Sequence, residues 1–247
     1  MYRSLPTPRP SGAPPAGPAN SETAIPRRAM VARLEADGDL HDPALREALL
    51  GVRREVLFPR AYVRRNEPGA EPGKWQLPHR AHPEDLAEWL ELIHSGVSVL
   101  VQHDGEPLSG QRWGIVTGGA ITGMSSVMSM TVRTVGRLRL RRGLRYLDLG
   151  TGAGIASALA KHILGPDGSV TTVESDRDLA DAAAVRLVSL GLDAHVLTAD
   201  ATGGFEADGR PYDRVLSTFA VPRLPVPWVG GARRRRSAAE HPDQQLP

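Results

Sequence analysis

"RYLDLGTGAGIASALAKHILGPDGSVTTVESD", residues 145–176, decides how this chain folds. An apolar run over 144–150 reads as a short buried strand. Three glycines follow at 150, 152 and 154. "IASALAKHILG" (155–165) has helical spacing and a glycine stop, "GPDG" is a turn, and "SVTTVES" (169–175) is a second strand. Downstream the rhythm repeats. A helix is predicted over 177–190, opened by a Ser175/Asp178 capping box and closed by Gly191. "DAHVLTAD" (193–200) and "PYDRVLSTFA" (211–220) are the next strands. Strands alternating with helices of this length predict βαβ units and a parallel sheet, an α/β fold.

The glycine loop narrows the ligand. A dinucleotide fingerprint G-x-G-x-x-G needs glycine at 155, which is Ile155, and the Gly-Lys-Ser/Thr ending of a Walker loop is absent. What remains is a backbone that a ligand can approach closely, followed by a helix N-terminus with free N–H groups. Glu174 ends the second strand, where a carboxylate can accept both hydroxyls of a ribose. Asp148 precedes the loop, where it can meet a ligand ammonium. Asp200 follows the third strand, where it can receive an exocyclic adenine amine. An adenosine carrying a sulfonium and an amino acid suits this set better than a diphosphate. Each acid also has a plainer reading: Glu174 capping the next helix, Asp200 serving a turn, Asp148 holding the loop backbone.

Upstream of the loop, residues 1–28 are rich in Pro, Ala, Ser and Gly and are expected to be a disordered tail. Residues 29–120 read as a helical N-terminal region with a short strand. "HDPALREALLGVRREVLFP" (41–59) has a cap at Asp42 with Pro43 at the first helical position. Leu45, Leu49, Val52 and Val56 form its apolar stripe. A helix is predicted over 82–96, a strand over 97–102 and a helix over 125–138. His79, His82, Glu84 and Asp85 have ligand chemistry, but the acids suit a helix N-terminus and no further ligand pair is evident, so no metal is expected.

The 247 residues suffice for one large domain or a domain with an appendage. The absence of cysteine excludes disulfides and thiol catalysis and fits a reducing, cytoplasmic setting. No apolar run approaches the roughly 20 residues of a membrane helix. A formal charge of +2 is no argument for nucleic acid, and "RLRLRRGLR" (137–145) reads as a solvated face.

"YLDLGTGAGIASALA" (146–160), "VTTVESD" (170–176), "LTADAT" (197–202) and "YDRVLSTFAVP" (212–222) together resemble the S-adenosylmethionine-dependent protein-L-isoaspartate O-methyltransferases. "LREALLGVRREVLFPRAYV" (45–63) is similar to the family's N-terminal helix, so the resemblance covers roughly 30–228. It implies a Rossmann-like, doubly wound, mainly parallel sheet of the class I methyltransferase type, with residues 121–228 as the cofactor domain. It implies S-adenosylmethionine as cofactor, held by Asp148, Gly150, Thr151, Gly152, Gly154, Glu174, Asp200 and Ala201. The acceptor would be a side-chain carboxylate of an isoaspartyl protein or peptide, already a nucleophile at neutral pH. A hydroxyl-bearing segment of the family maps onto "AITGMSSVM" (120–128), making Thr122, Ser125 and Ser126 the catalytic candidates. The proline usual there is absent. These hydroxyls would otherwise cap the following helix.

The resemblance also implies strands beyond the fourth. "VPWVGG" (226–231) begins like the approach to a fifth, but residues 229–247 read as an irregular basic tail. A sheet lacking its last strands would leave the fourth at an edge and one face thinly covered, with a stability deficit or a partner to cover it. Two rival readings follow: a methyltransferase for another acceptor, such as a modified peptide or small molecule, and a non-catalytic remnant that binds cofactor alone.

Overall fold

A computed structural model describes residues 20–109, 114–203, 205 and 210–230. The basic tail beyond 230, including Arg233 to Arg236, and the first nineteen residues lie outside that set.

In chain order the elements are α1 (Asn20–Ala36), α2 (Pro43–Gly51), α3 (Arg54–Leu57), β1 (Val63–Arg64), β2 (Lys74–Gln76), α4 (Pro83–His94), β3 (Val99–His103), β4 (Ile115–Thr117), β5 (Ile121–Ser125) and α5 (Met128–Arg137). Then follow β6 (Arg145–Leu149), α6 (Ile155–Leu164), β7 (Ser169–Glu174), α7 (Arg177–Ser189), β8 (His195–Thr198), β9 (Arg214–Ser217) and the short α8 (Val226–Gly230).

The strands predicted from the glycine stretch assemble as a four-stranded parallel sheet in the order β8-β7-β6-β9. Tyr146, facing α6, belongs to the large core that runs from Met30 of α1 to Leu216 of β9. Leu147 and Leu149 point the other way, into a smaller core with Val173, Ala201, Phe205, Tyr212 and Trp228. The large core is dense because α6 is apolar nearly all round. Its buried Ala156, Ala158 and Ala160 let it sit close between the sheet and α2. The contact is close enough that a Cβ on Gly51, at the end of α2, would stand 2.6 Å from the His162 ring.

Several expectations are corrected. The tail expected to be disordered through 28 is helical from Asn20, despite Pro26 inside the helix. Thr23 and Arg27 are buried there, and both bond Glu55 of α3 at 3.0 Å. This polar anchoring, 32 positions away along the chain for Thr23, outweighs a composition that argued for disorder. The N-terminal region is also richer in strands than expected. It contains a three-stranded sheet, β1-β2-β4, and the antiparallel pair β3-β5. The β3-β5 pair crosses the anticipated boundary at 120/121, and the large core is shared across it. α7 is capped by Asp176, whose Oδ1 accepts Leu179 N–H at 2.9 Å, and not by the Ser175/Asp178 box. Residues 226–230, read as an approach to a strand, form α8. Its Trp228 covers the smaller core and donates Nε1–H to Ala201 O at 3.2 Å, so that face has cover. Among the described residues β9 pairs with β6 alone.

The cap at Asp42 forms as predicted, its carboxylate accepting Ala44 N–H at 2.8 Å. No helix of the described residues is long and apolar enough to cross a membrane.

Candidate functional site

The glycine loop is held at the C-terminal end of the parallel strands, where open α/β sheets bind ligands. Gly150 and Thr151 donate their N–H groups to Val173 O at 2.8 and 3.2 Å, which ties the loop to β7. Gly150 has φ +95, and a Cβ there would lie 2.5 Å from Thr218 Oγ1 and 3.0 Å from Phe219 Cδ1. Only glycine fits. Thr218 fastens this contact by donating its hydroxyl to Gly150 O at 2.6 Å. Gly154, also at positive φ, is the N-cap of α6 and offers no side chain to the helix's first-turn N–H groups.

Gly152 is the tip of the loop. Its N–H donates to Glu174 Oε2 at 2.9 Å, and a Cβ there would stand 3.5 Å from the backbone carbonyl of Met124. Two elements predicted to serve the site thus converge on one residue: the acid ending β7 and the end of β5. Glu174 Oε1 accepts Ser175 N–H at 2.8 Å and Asp176 N–H at 3.3 Å, which fixes its carboxylate at the strand tip.

The segment 120–128 contains a strand, β5, and the helix expected from 125 begins only at Met128. α5 starts at Met128 with Val127 as N-cap and no side-chain cap bond, so none of the candidate hydroxyls caps it. Their environments differ. Thr122 Oγ1 accepts Gly105 N–H at 2.8 Å and is occupied in holding a turn. Ser125 is buried, and its hydroxyl has no protein partner among the described residues. Ser126 is half-buried.

Four of the residues expected to hold the cofactor are engaged within the protein itself. Asp148 faces α6 from beneath the loop, fully buried, and its Oδ2 accepts Ser157 Oγ–H at 2.6 Å and Thr172 Oγ1–H at 3.4 Å. Burial pushes its carboxyl up to about 7, against the lowering effect of the hydroxyls of Ser157, Thr172 and Tyr146. Burial likewise raises the Tyr146 phenol. Thr151 turns into the same interior cluster, its Oγ1 2.7 Å from Thr172 Oγ1. Asp200 is exposed and bonds Thr202 N–H at 2.8 Å and its hydroxyl at 2.7 Å, the turn geometry, which lowers its carboxyl. Ala201 packs in the smaller core. For Asp148 the cause is β6 itself: covered on both faces, it shows no polar-apolar alternation, so the side on which Asp148 emerges is not written in the pattern.

Met124, Thr218 and Phe219 border the loop without having been singled out as site residues. Thr218 and Phe219 lie within "YDRVLSTFAVP", so the signal for them was present; nothing in the sequence marks the Met124 carbonyl. Gln102 of β3 is a further addition. Fully buried, it donates Nε2–H to Asp176 Oδ2 at 3.2 Å and so ties the β3-β5 pair to the turn that follows Glu174.

His79 and His82 stack with ring centroids 4.6 Å apart, and Asp85 accepts His79 N–H at 2.8 Å. Among the described residues no group of three or more His, Asp or Glu side chains is arranged to hold a metal.

Residues 116–231 match the family model of the protein-L-isoaspartate(D-aspartate) O-methyltransferases. The chain is 37% identical over 101 residues to a protein-L-isoaspartate O-methyltransferase of Ignicoccus hospitalis, covering 40% of this chain and 47% of the relative. It is 41% identical over 91 residues to that of Methanothermobacter thermautotrophicus, covering 36% of this chain and 42% of the relative. The chain therefore spans less than half the length of these relatives. A solved protein-L-isoaspartate O-methyltransferase superposes with TM-score 0.58 at 19% identity, covering 84% of this chain and 52% of that one. A Plasmodium falciparum beta-aspartate methyltransferase, solved with S-adenosyl-L-homocysteine, gives 0.57 at 14%, covering 84% and 79%. At these identities the two structures establish the shared fold. By motif and architecture, residues 116–231 are similar to the protein-L-isoaspartate(D-aspartate) O-methyltransferases.

Proposed function

We propose that the chain binds S-adenosylmethionine in the cleft around Gly152 and methylates a side-chain carboxylate of an isoaspartyl residue in a protein or peptide. The observation that carries this reading is the pinch at Gly152, between the Glu174 carboxylate and the Met124 carbonyl. It brings the acid suited to a ribose and the hydroxyl-bearing segment suited to an acceptor to the same loop tip.

The residues present fit such a cofactor. The loop has no side chain at 150, 152 or 154, and the α6 first turn lacks a capping side chain, which suits a ligand carboxylate. Glu174 is the residue to hold ribose hydroxyls, exchanging or sharing its bond to Gly152. Asp200 would leave its turn to reach an adenine amine. Asp148 supports the loop from below and does not meet the ligand.

The cofactor supplies an electrophilic methyl group on a sulfonium. The chain's own task is alignment and exclusion of water, since an ionised carboxylate needs no base. Ser125 is the hydroxyl best suited to orient the acceptor, being buried with its hydrogen-bonding capacity unspent.

The test is transfer of labelled methyl from S-adenosylmethionine to an isoaspartyl peptide, with the aspartyl isomer as control. Equal labelling of both, or binding of S-adenosylhomocysteine with no transfer, would overturn the assignment.

A further inference from the structure

The "RLRLRRGLR" stretch is not a uniform solvated face. At the end of the parallel strands opposite the glycine loop, Arg137, Leu138, Arg139 and Arg214 line an open cavity of about 380 Å³. Cations on this surface are treated in two ways. Arg133, one turn earlier on α5, is paired with Asp39. Arg137 and Arg139 have no carboxylate partner among the described residues and are exposed.

Helix C-termini attract cations, so the plain reading is that these arginines serve the carbonyl end of α5. Arg214 does serve it, donating Nε–H to Leu138 O at 2.6 Å and Nη1–H to Asp213 O at 2.6 Å. That leaves the other two unexplained. It also fixes the Arg214 guanidinium at the cavity, where its remaining N–H donors have no protein acceptor among the described residues. Arg139 moreover sits in the left-handed region at φ +49, a conformation unfavourable for a non-glycine residue. The backbone is bent where the cavity forms, and the bend is not relieved by a glycine.

We propose that this cavity is a binding site for a small polyanion bearing two or more phosphate groups. Three guanidiniums around one concavity focus positive potential, and their planar N–H pairs match phosphate oxygens two at a time. The site is separate from the methyl-transfer cleft, which lies at the other end of the strands.

The experiment is calorimetric titration of the full chain with inorganic tripolyphosphate at low and at physiological salt. The wild type binds, more weakly as salt rises. The Arg137→Gln/Arg139→Gln variant, which removes no side-chain hydrogen bond or ion pair among the described residues, binds at least about tenfold more weakly, while S-adenosylhomocysteine affinity stays within about twofold of wild type. Arg214→Gln weakens tripolyphosphate binding as well. Equal affinity in wild type and the double variant, or no binding by the wild type, overturns the proposal. An oligothymidylate without terminal phosphates is the second probe. If it displaces tripolyphosphate equally well at matched phosphate concentration, the surface belongs to a nucleic-acid strand and the small-ligand assignment fails.

Discussion

Glu174 Oε2 and the Gly152 amide are joined at 2.9 Å, so the strand-end carboxylate and the loop tip form one unit. On the proposed reading, ligand affinity depends on Glu174 twice over, through contacts to a ribose and through the shape of the loop.

Replacing Glu174 with Ala removes a charged acceptor from two hydroxyls, a loss on the order of 2–4 kcal/mol. The expected fall in S-adenosylhomocysteine affinity is roughly 30- to 1000-fold. Glu174→Gln, which keeps one acceptor oxygen, should fall between. Calorimetric titration measures all three proteins, and near-equal affinities would sever Glu174 from the cofactor.

The glycines divide stability from binding. A methyl at 150 would stand 2.5 Å from Thr218 Oγ1 and 3.0 Å from a ring carbon of Phe219, at φ +95. Gly150→Ala is expected to destabilise by roughly 2–3 kcal/mol or more, from backbone strain plus overpacking. At 152 the nearest atom is the Met124 carbonyl at 3.5 Å, an ordinary contact, and φ is +52. Gly152→Ala should cost only about 1–2 kcal/mol of stability, yet weaken ligand binding because the methyl occupies the cleft. Urea melts set beside cofactor titrations separate the two effects.

Asp148 makes the fold respond to pH. Its carboxyl is raised to about 7 in the fold, while the unfolded chain titrates near 3.9. Between those values the folded chain keeps a proton that the unfolded chain has lost. Stability therefore declines as pH rises from about 4 to about 7, by at most on the order of 4 kcal/mol from this group. Asp148→Asn should flatten that slope and be the more stable protein above pH 7. Denaturant midpoints against pH for both proteins read this directly; parallel curves would mean that Asp148 is ionised in the fold.

How much of this could be read in advance follows from the physics of each residue. The glycine loop, its flanking strands and Glu174 were legible because turn chemistry, strand length and an acid at a strand end are local signals. The direction of Asp148 was not, because β6 is buried on both faces and carries no alternation. β1, β2 and β4, at two or three residues each, are shorter than any pattern can mark. α1 was hidden by its proline and by a polar anchor 32 positions away in the chain.

That anchor gives a prediction of its own. Glu55 and Arg27 pair at 3.0 Å with side chains 8% and 9% exposed, beside a fully buried Arg54 whose guanidinium burial lowers to about 9. Removing the one carboxylate would leave two guanidiniums repelling each other in the interior. Glu55→Ala should cost about 3–5 kcal/mol and free α1 for proteolysis. Limited digestion that cuts wild type and variant equally within 20–36 would refute the tie between α1 and α3.

The hydroxyls of β5 provide the sharpest test of the proposed chemistry, because structure and catalysis make opposite demands on them. Thr122 accepts Gly105 N–H at 2.8 Å, so Thr122→Ala should lower stability by about 1 kcal/mol and leave methyl transfer nearly unchanged. Among the described residues Ser125 has no protein partner for its buried hydroxyl. Losing an unsatisfied polar group costs the fold little or nothing. Ser125→Ala should therefore melt like wild type, yet transfer methyl to an isoaspartyl peptide roughly tenfold to a hundredfold more slowly, as expected when an acceptor is no longer held in line. Its S-adenosylhomocysteine affinity should not move. If Ser125→Ala transfers methyl at the wild-type rate, orientation of the acceptor falls to Ser126 or to the backbone of Met124, and the role given to the buried hydroxyl is wrong.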